Sequence, residues 1–118
     1  MICKIGNMDD YCKYENALPE EMRESIYAQT LMFCENYGAD RDVDEDDGGY
    51  ILYCAPGTKE EEIKAYFDYT DCYPEAGYLH KEVTPPLYSV LYLCNNEFTV
   101  NLYIHQQDIP DEIAENLF

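Results

Sequence analysis

The chain contains no tryptophan and few bases: 7 lysines and arginines stand against 25 acids, for a net charge of −18 over 118 residues. A surface this negative repels nucleic acid and anionic membrane and attracts basic protein surfaces. No apolar run approaches the roughly 20 residues a membrane span needs. A glycine-rich phosphate loop is also missing, because Gly48-Gly49 and Pro56-Gly57 are isolated turns and phosphate would meet carboxylates. Nucleophilic catalysis needs a base near a serine or cysteine, yet the two histidines, His80 and His105, lie in no recognisable motif. His105 is expected on the surface at a strand end. Cys3, Cys12, Cys34, Cys54, Cys72 and Cys94 contain no Cys-x-x-Cys pair, so zinc has no local scaffold. The first ten residues show no basic segment followed by an apolar run, so no signal peptide is expected. Reduced cysteines acting as small hydrophobes in a cytoplasmic protein are the expectation. We therefore expect no enzyme and assign no catalytic residue, cofactor-binding residue or metal ligand.

Hydrophobic residues make up 47% of the chain, which places the acids on one folded domain spanning 1–118 rather than on a disordered tail. Thirteen tyrosines supply the large rings; tyrosine suits half-exposed sheet faces and interfaces because its ring is apolar and its tip polar. The densest acidic stretch is Asp40–Gly49, with six carboxylates and one base in ten residues. It superficially resembles a calcium loop, but the register fails. With Gly48 at the sixth position Val43 would be the first ligand, and with Gly49 there Gly48 would be the fifth. The twelfth position, which needs a bidentate glutamate, would hold Cys54 or Ala55.

Periodicity predicts a helix over Pro19–Tyr37, with Glu20 and Glu21 in its first turn and Gly38 as its stop. Met22, Ile26, Thr30, Phe33, Cys34 and Tyr37 form its apolar stripe. Tyr27 and Leu31 fall outside the stripe, between Glu24 and Glu35, and are either covered by a second element or a contact patch. Strands are expected at Met1–Ile5 and Tyr50–Cys54, with an extended piece at Tyr11–Tyr14. Thr58–Glu61 reads as a capping box opening a helix to about Tyr69, followed by a turn-rich loop at Asp71–Gly77 and a strand at Tyr78–Val83. Leu87–Cys94 and Glu97–His105 read as a hairpin closed by a two-residue Asn95-Asn96 turn. That pairing puts Leu87, Ser89, Leu91, Leu93, Phe98, Val100, Leu102 and Ile104 on one face, all apolar but Ser89. Tyr88, Val90, Tyr92, Thr99, Asn101 and Tyr103 would line the other, as a thin second layer or a partner surface. A closing helix is expected at Asp111–Leu117.

The predicted class is α+β: a small antiparallel sheet centred on the C-terminal hairpin, packed by one long helix across its apolar face and one or two short ones. The candidate partner-binding residues are Asp42, Asp44, Glu45, Asp46 and Asp47 of the acidic loop, with Glu24, Tyr27, Leu31 and Glu35 of the long helix. In size, charge and lack of catalytic motifs the chain resembles phage-encoded DNA-mimic proteins, particularly anti-CRISPR inhibitors. The resemblance is compositional and spans the whole chain. It implies a stoichiometric block of the DNA-binding or PAM-reading groove of a CRISPR-Cas effector nuclease, whose arginines would pair with carboxylates in place of phosphates. The same electrostatics suit an immunity or antitoxin-like binder of a basic toxin, and acidity that serves only solubility is a third reading.

Overall fold

The computed structural model describes residues 1–37, 48–94 and 98–115. In chain order these form strand β1 (Ile2–Ile5), helix α1 (Met8–Tyr14), helix α2 (Glu20–Tyr37), strand β2 (Gly49–Cys54) and helix α3 (Glu60–Lys64). Strands β3 (Tyr73–His80), β4 (Leu87–Leu93) and β5 (Thr99–His105) follow, then helix α4 (Asp111–Ala114). The fold is α+β, as expected. Its sheet runs β1-β2-β5-β4-β3 and is mixed, because β2 and β5 pair in parallel while the other three pairings are antiparallel.

Helices cover both faces of the sheet. Under α3 and α4 lie three cross-sheet rows: Cys54, Ile104 and Tyr88; Leu52, Leu102 and Val90; Tyr50, Val100 and Tyr92. Ile63 of α3 and Ile113 of α4 close that core. On the opposite face Cys3, Ile5, Ile51, Tyr53, Leu87 and Tyr103 meet Tyr11 of α1 and Met22 and Ile26 of α2. Each fully buried Ile or Leu is worth about 1.5–3 kcal/mol over its exposed state. All six residues of β2 are buried, which follows from neighbours on both sides and layers on both faces. Six of the tyrosines (Tyr11, Tyr50, Tyr53, Tyr69, Tyr92 and Tyr103) finish these cores rather than the surface.

The two-layer packing overturns several expectations. Within the hairpin Tyr88 pairs with Ile104, Val90 with Leu102 and Tyr92 with Val100, one residue out of the predicted register. The Cys94 amide donates to the Phe98 carbonyl at 2.7 Å, so three residues separate the strands and a two-residue Asn95-Asn96 turn does not fit. Asn95 to Glu97 themselves lie outside the described residues. The slip has a physical cause: with both faces covered both rows are apolar, and alternation no longer selects a register. Val90 and Tyr92 are therefore core, while Leu91 is half-buried and Leu93 exposed. Helix α2 lies on the face opposite the hairpin's Val100–Leu102–Ile104 row.

Residues Tyr11–Tyr14 are helical rather than extended. The Asn7 side chain accepts from the Asp10 amide at 2.9 Å and caps α1, with Asp9 and Asp10 in its first turn and Lys13 in its last. Helix α3 ends at Lys64, short of Tyr69, and Thr58 does not cap it: the Thr58 hydroxyl donates back to the Ala55 carbonyl at 2.6 Å. Instead the Glu62 carboxylate accepts from the Lys59 amide at 3.4 Å. Tyr73–Gly77 is strand rather than loop, since an edge strand tolerates Pro74 and the irregularity between Pro74 and Ala76.

Candidate partner interface

Helix α2 presents Glu24, Tyr27, Leu31 and Glu35 on its outer face; of the two alternatives for Tyr27 and Leu31, cover or contact patch, the described residues leave both side chains partly exposed. The two acids are exposed, and Tyr27 and Leu31 keep 42% and 36% of their surface in water. Tyr11 of α1 meets the Tyr27 ring edge-on at 5.3 Å and shields one side of it only. Met32, which the stripe analysis did not single out, adds a 60% exposed side chain next to Leu31. With about 1.5 Å of rise per residue, Glu24 and Glu35 bracket this apolar spot some 16 Å apart along the axis. Thr30 is fully buried on the inner face and donates to the Ile26 carbonyl at 2.8 Å, which satisfies its hydroxyl within the helix.

Asp42, Asp44, Glu45, Asp46 and Asp47 lie outside the described residues. The anchor on their C-terminal side is well defined. Thr99 donates both its amide and its hydroxyl to the Gly48 carbonyl, each at 3.0 Å. Gly49 has φ +131°, and a Cβ there would collide with the Thr99 carbonyl oxygen, so only glycine fits. Gly48 borders an open groove of about 290 Å³ between α2 and the sheet, lined also by Met32, Phe33, Leu91, Thr99 and Asn101. In its wall Asn101 donates to Gln29 Oε1 at 2.5 Å, and Gln29 lies 2.6 Å from the Tyr103 hydroxyl, tying α2 to β5.

A second acidic face emerges only in three dimensions. The starts of α3 and α4 and the tight turns at Tyr69–Asp71 and Gln106–Asp108 are brought together because Ile63, Tyr69 and Ile113 share one core. This sets Glu60 of α3 and Glu112 of α4 on either side of Lys64, with Asp68 of the neighbouring turn within reach of the same lysine. In the sequence Glu60–Glu62 read as ordinary first-turn residues. The one signal for the cluster is the lack of any Lys or Arg from Glu82 to Phe118. Lys64 bridges Glu60 at 3.0 Å and Glu112 at 3.5 Å, which pushes the lysine up and holds the Glu60 carboxyl below its usual range. Hydrogen bonds from the Thr70 hydroxyl and amide hold Asp68 low as well.

Several bases are turned back on the chain itself. Lys4 and Lys13 sit over the rings of Tyr50 and Tyr14 at 4.6 and 5.1 Å, Lys64 is shared as above, and Arg23 Nε donates to the Leu18 carbonyl at 3.3 Å. Of these four, Lys64 is the one held between carboxylates; the others keep their charge, and the field stays negative because 25 acids outnumber 7 bases.

The histidines depart from expectation. His105 is buried, not on the surface: Nδ1 donates to the Pro85 carbonyl at 2.9 Å, so Nε2 accepts from the Tyr53 hydroxyl, also at 2.9 Å. His80 Nε2 lies 3.0 Å from Ser89 Oγ, and its Nδ1 is 3.4 Å from Glu82. The pairing of Tyr78 with Ser89 across β3 and β4 creates this trio, and the sequence reading assigned no partner strand to the Tyr78 segment. Among the described residues no group of three or more His, Cys, Asp or Glu is placed to hold a metal ion, and no helix is long and apolar enough to cross a membrane.

No protein-family profile, curated protein or solved structure matches the chain.

Proposed function

We propose that this protein is a stoichiometric inhibitor that occupies the nucleic-acid-binding surface of a basic partner, a CRISPR-Cas effector nuclease being the leading candidate. The observation that supports the reading is an acidic surface mounted on helices on both faces of the sheet, with Lys4, Lys13, Arg23 and Lys64 engaged by the chain's own groups. Arginine pairs well with carboxylate, often bidentately, so a groove that reads duplex phosphates gains a competing anion at little loss. Tyr27 and Leu31 add the apolar contact that distinguishes a fitted interface from diffuse attraction. Replacing Asp44, Glu45, Asp46 and Asp47 together by Ala is expected to leave folding intact and weaken binding at least tenfold. An unchanged affinity at low salt would exclude that loop as the contact.

The Ser89–His80–Glu82 trio favours a second reading, a serine hydrolase. Against it, Ser89 lies mid-strand between paired neighbours on β3 and β5, which commits nearby amides to ladders instead of an oxyanion hole. A fluorophosphonate probe decides: labelling of Ser89 that is lost in His80→Ala would establish the hydrolase, and an unlabelled protein would remove it.

A further inference from the structure

Cys72 and Cys94 stand at one end of the β3–β4 ladder, just before Tyr73 and just after Leu93. Continuing the Tyr73–Leu93 pairing by one residue sets them directly opposite each other, with sulfurs 2.6 Å apart. Neither amide serves this pair: the Cys72 N–H goes to the Tyr69 carbonyl and the Cys94 N–H to Phe98. Opposed residues that do not exchange backbone bonds are the closer type of antiparallel pair, with Cα atoms about 4.5 Å apart, inside the range a disulfide spans. Both are partly buried, as is Cys34, whereas Cys3 and Cys54 lie in the core and Cys12 is exposed.

We propose that Cys72 and Cys94 form an oxidisable dithiol that closes to an intramolecular disulfide by exchange with a low-molecular-weight disulfide, independently of the partner-blocking role. Cys72 is the point of attack, because it lines a surface hollow of about 300 Å³ with Thr70, Pro74, Glu112 and Glu115, and Cys94 does not. The Cys72 thiol gives its proton to solvent and its thiolate attacks the small disulfide, forming a mixed disulfide and expelling one small thiolate. Cys94 then loses its proton and displaces the second small thiolate, closing the Cys72–Cys94 bond. The two expelled thiolates take up the two protons, so the dithiol is oxidised and one small disulfide is reduced. The order also suits Cys94, whose thiol is pushed up to about 12 by burial and then by Cys72; masking Cys72 removes its share. Glu112, Glu115 and the nearby Asp71 set a preference among oxidants, with a cationic disulfide drawn in and an anionic one repelled.

The test uses the full-length protein carrying Cys12→Ser, so that the exposed thiol does not cross-link copies. After equilibration with cystamine or oxidised glutathione, peptide mapping without reductant is expected to recover Cys72 joined to Cys94, with a loss of about 2 Da. The thermal midpoint should rise by about 5 °C or more. Cys72→Ser and Cys94→Ser should each abolish the cross-link. Persistence of both thiols, or stable mixed disulfides at Cys72 with no closure, would overturn the proposal. Cystamine reacting faster than oxidised glutathione at low salt, with the gap closing as salt rises, supports the route through the acidic hollow; equal rates would overturn that route.

Discussion

Single residues carry strict requirements here. Gly49→Ala places a methyl group against the Thr99 carbonyl in a backbone region that L residues rarely adopt. We expect a loss above about 3 kcal/mol, read as a large drop in the urea midpoint, while Gly57→Ala, strained at φ +89° but with open space around its Cβ, should lose less, about 1–2 kcal/mol. The buried Tyr53–His105–Pro85 chain is the second case. Tyr53→Phe leaves His105 Nε2 without its donor and should cost about 1–3 kcal/mol. Burial also pushes Tyr53 and Tyr92 up from 10 to about 12, and Cys54 from 9 to about 12. Folded pKa values above unfolded ones mean that the unfolded chain releases protons first. Stability from these groups is complete below about pH 9 and is lost as pH rises toward 12. Thermal melts from pH 8 to 12 should show that fall, with a shallower slope in Tyr53→Phe; a flat profile would contradict the burial of these groups.

At the level of elements, α2 separates packing from contact. Ile26→Ala should cost about 2–5 kcal/mol in folding, because its side chain lies fully in the core. Leu31→Ala or Tyr27→Ala should cost well under 1.5 kcal/mol in folding and appear instead as weaker partner binding. Equal destabilisation by all three would mean that Tyr27 and Leu31 serve the fold. This helix was legible in the sequence because one face meets core and the other water, so Met22, Ile26 and Thr30 stand apart from Glu20, Glu24 and Glu35. β2 was legible as a continuous apolar run. The hairpin register was not, since Tyr88–Val90–Tyr92 and Leu87–Ser89–Leu91 are apolar enough to suit either face. Helix α1 was missed because its seven residues depend on a single Asn7 cap; β3 was read only from Tyr78 on, and ends at His80 rather than Val83, because Pro74 and Gly77 read as turn residues on an edge strand. The predicted patch at Glu24, Tyr27, Leu31 and Glu35 holds together on α2. The acidic face of α3 and α4 escaped notice because Glu60 and Glu112 are neighbours only through the folding of Ile63 and Ile113 onto one core.

For the whole molecule the governing quantity is charge. A net −18 on 118 residues gives self-repulsion that added salt screens, so the field proposed to draw a basic partner also limits stability. Rising NaCl should therefore raise the thermal midpoint while lowering partner affinity. The most direct test of the central claim captures partners on the immobilised protein from a bacterial lysate and elutes them with a salt gradient, with and without duplex DNA. We predict a nucleic-acid-binding protein released by rising salt and displaced by duplex DNA at constant salt. A partner retained through both treatments would contradict the account and leave apolar contact rather than charge as what holds it.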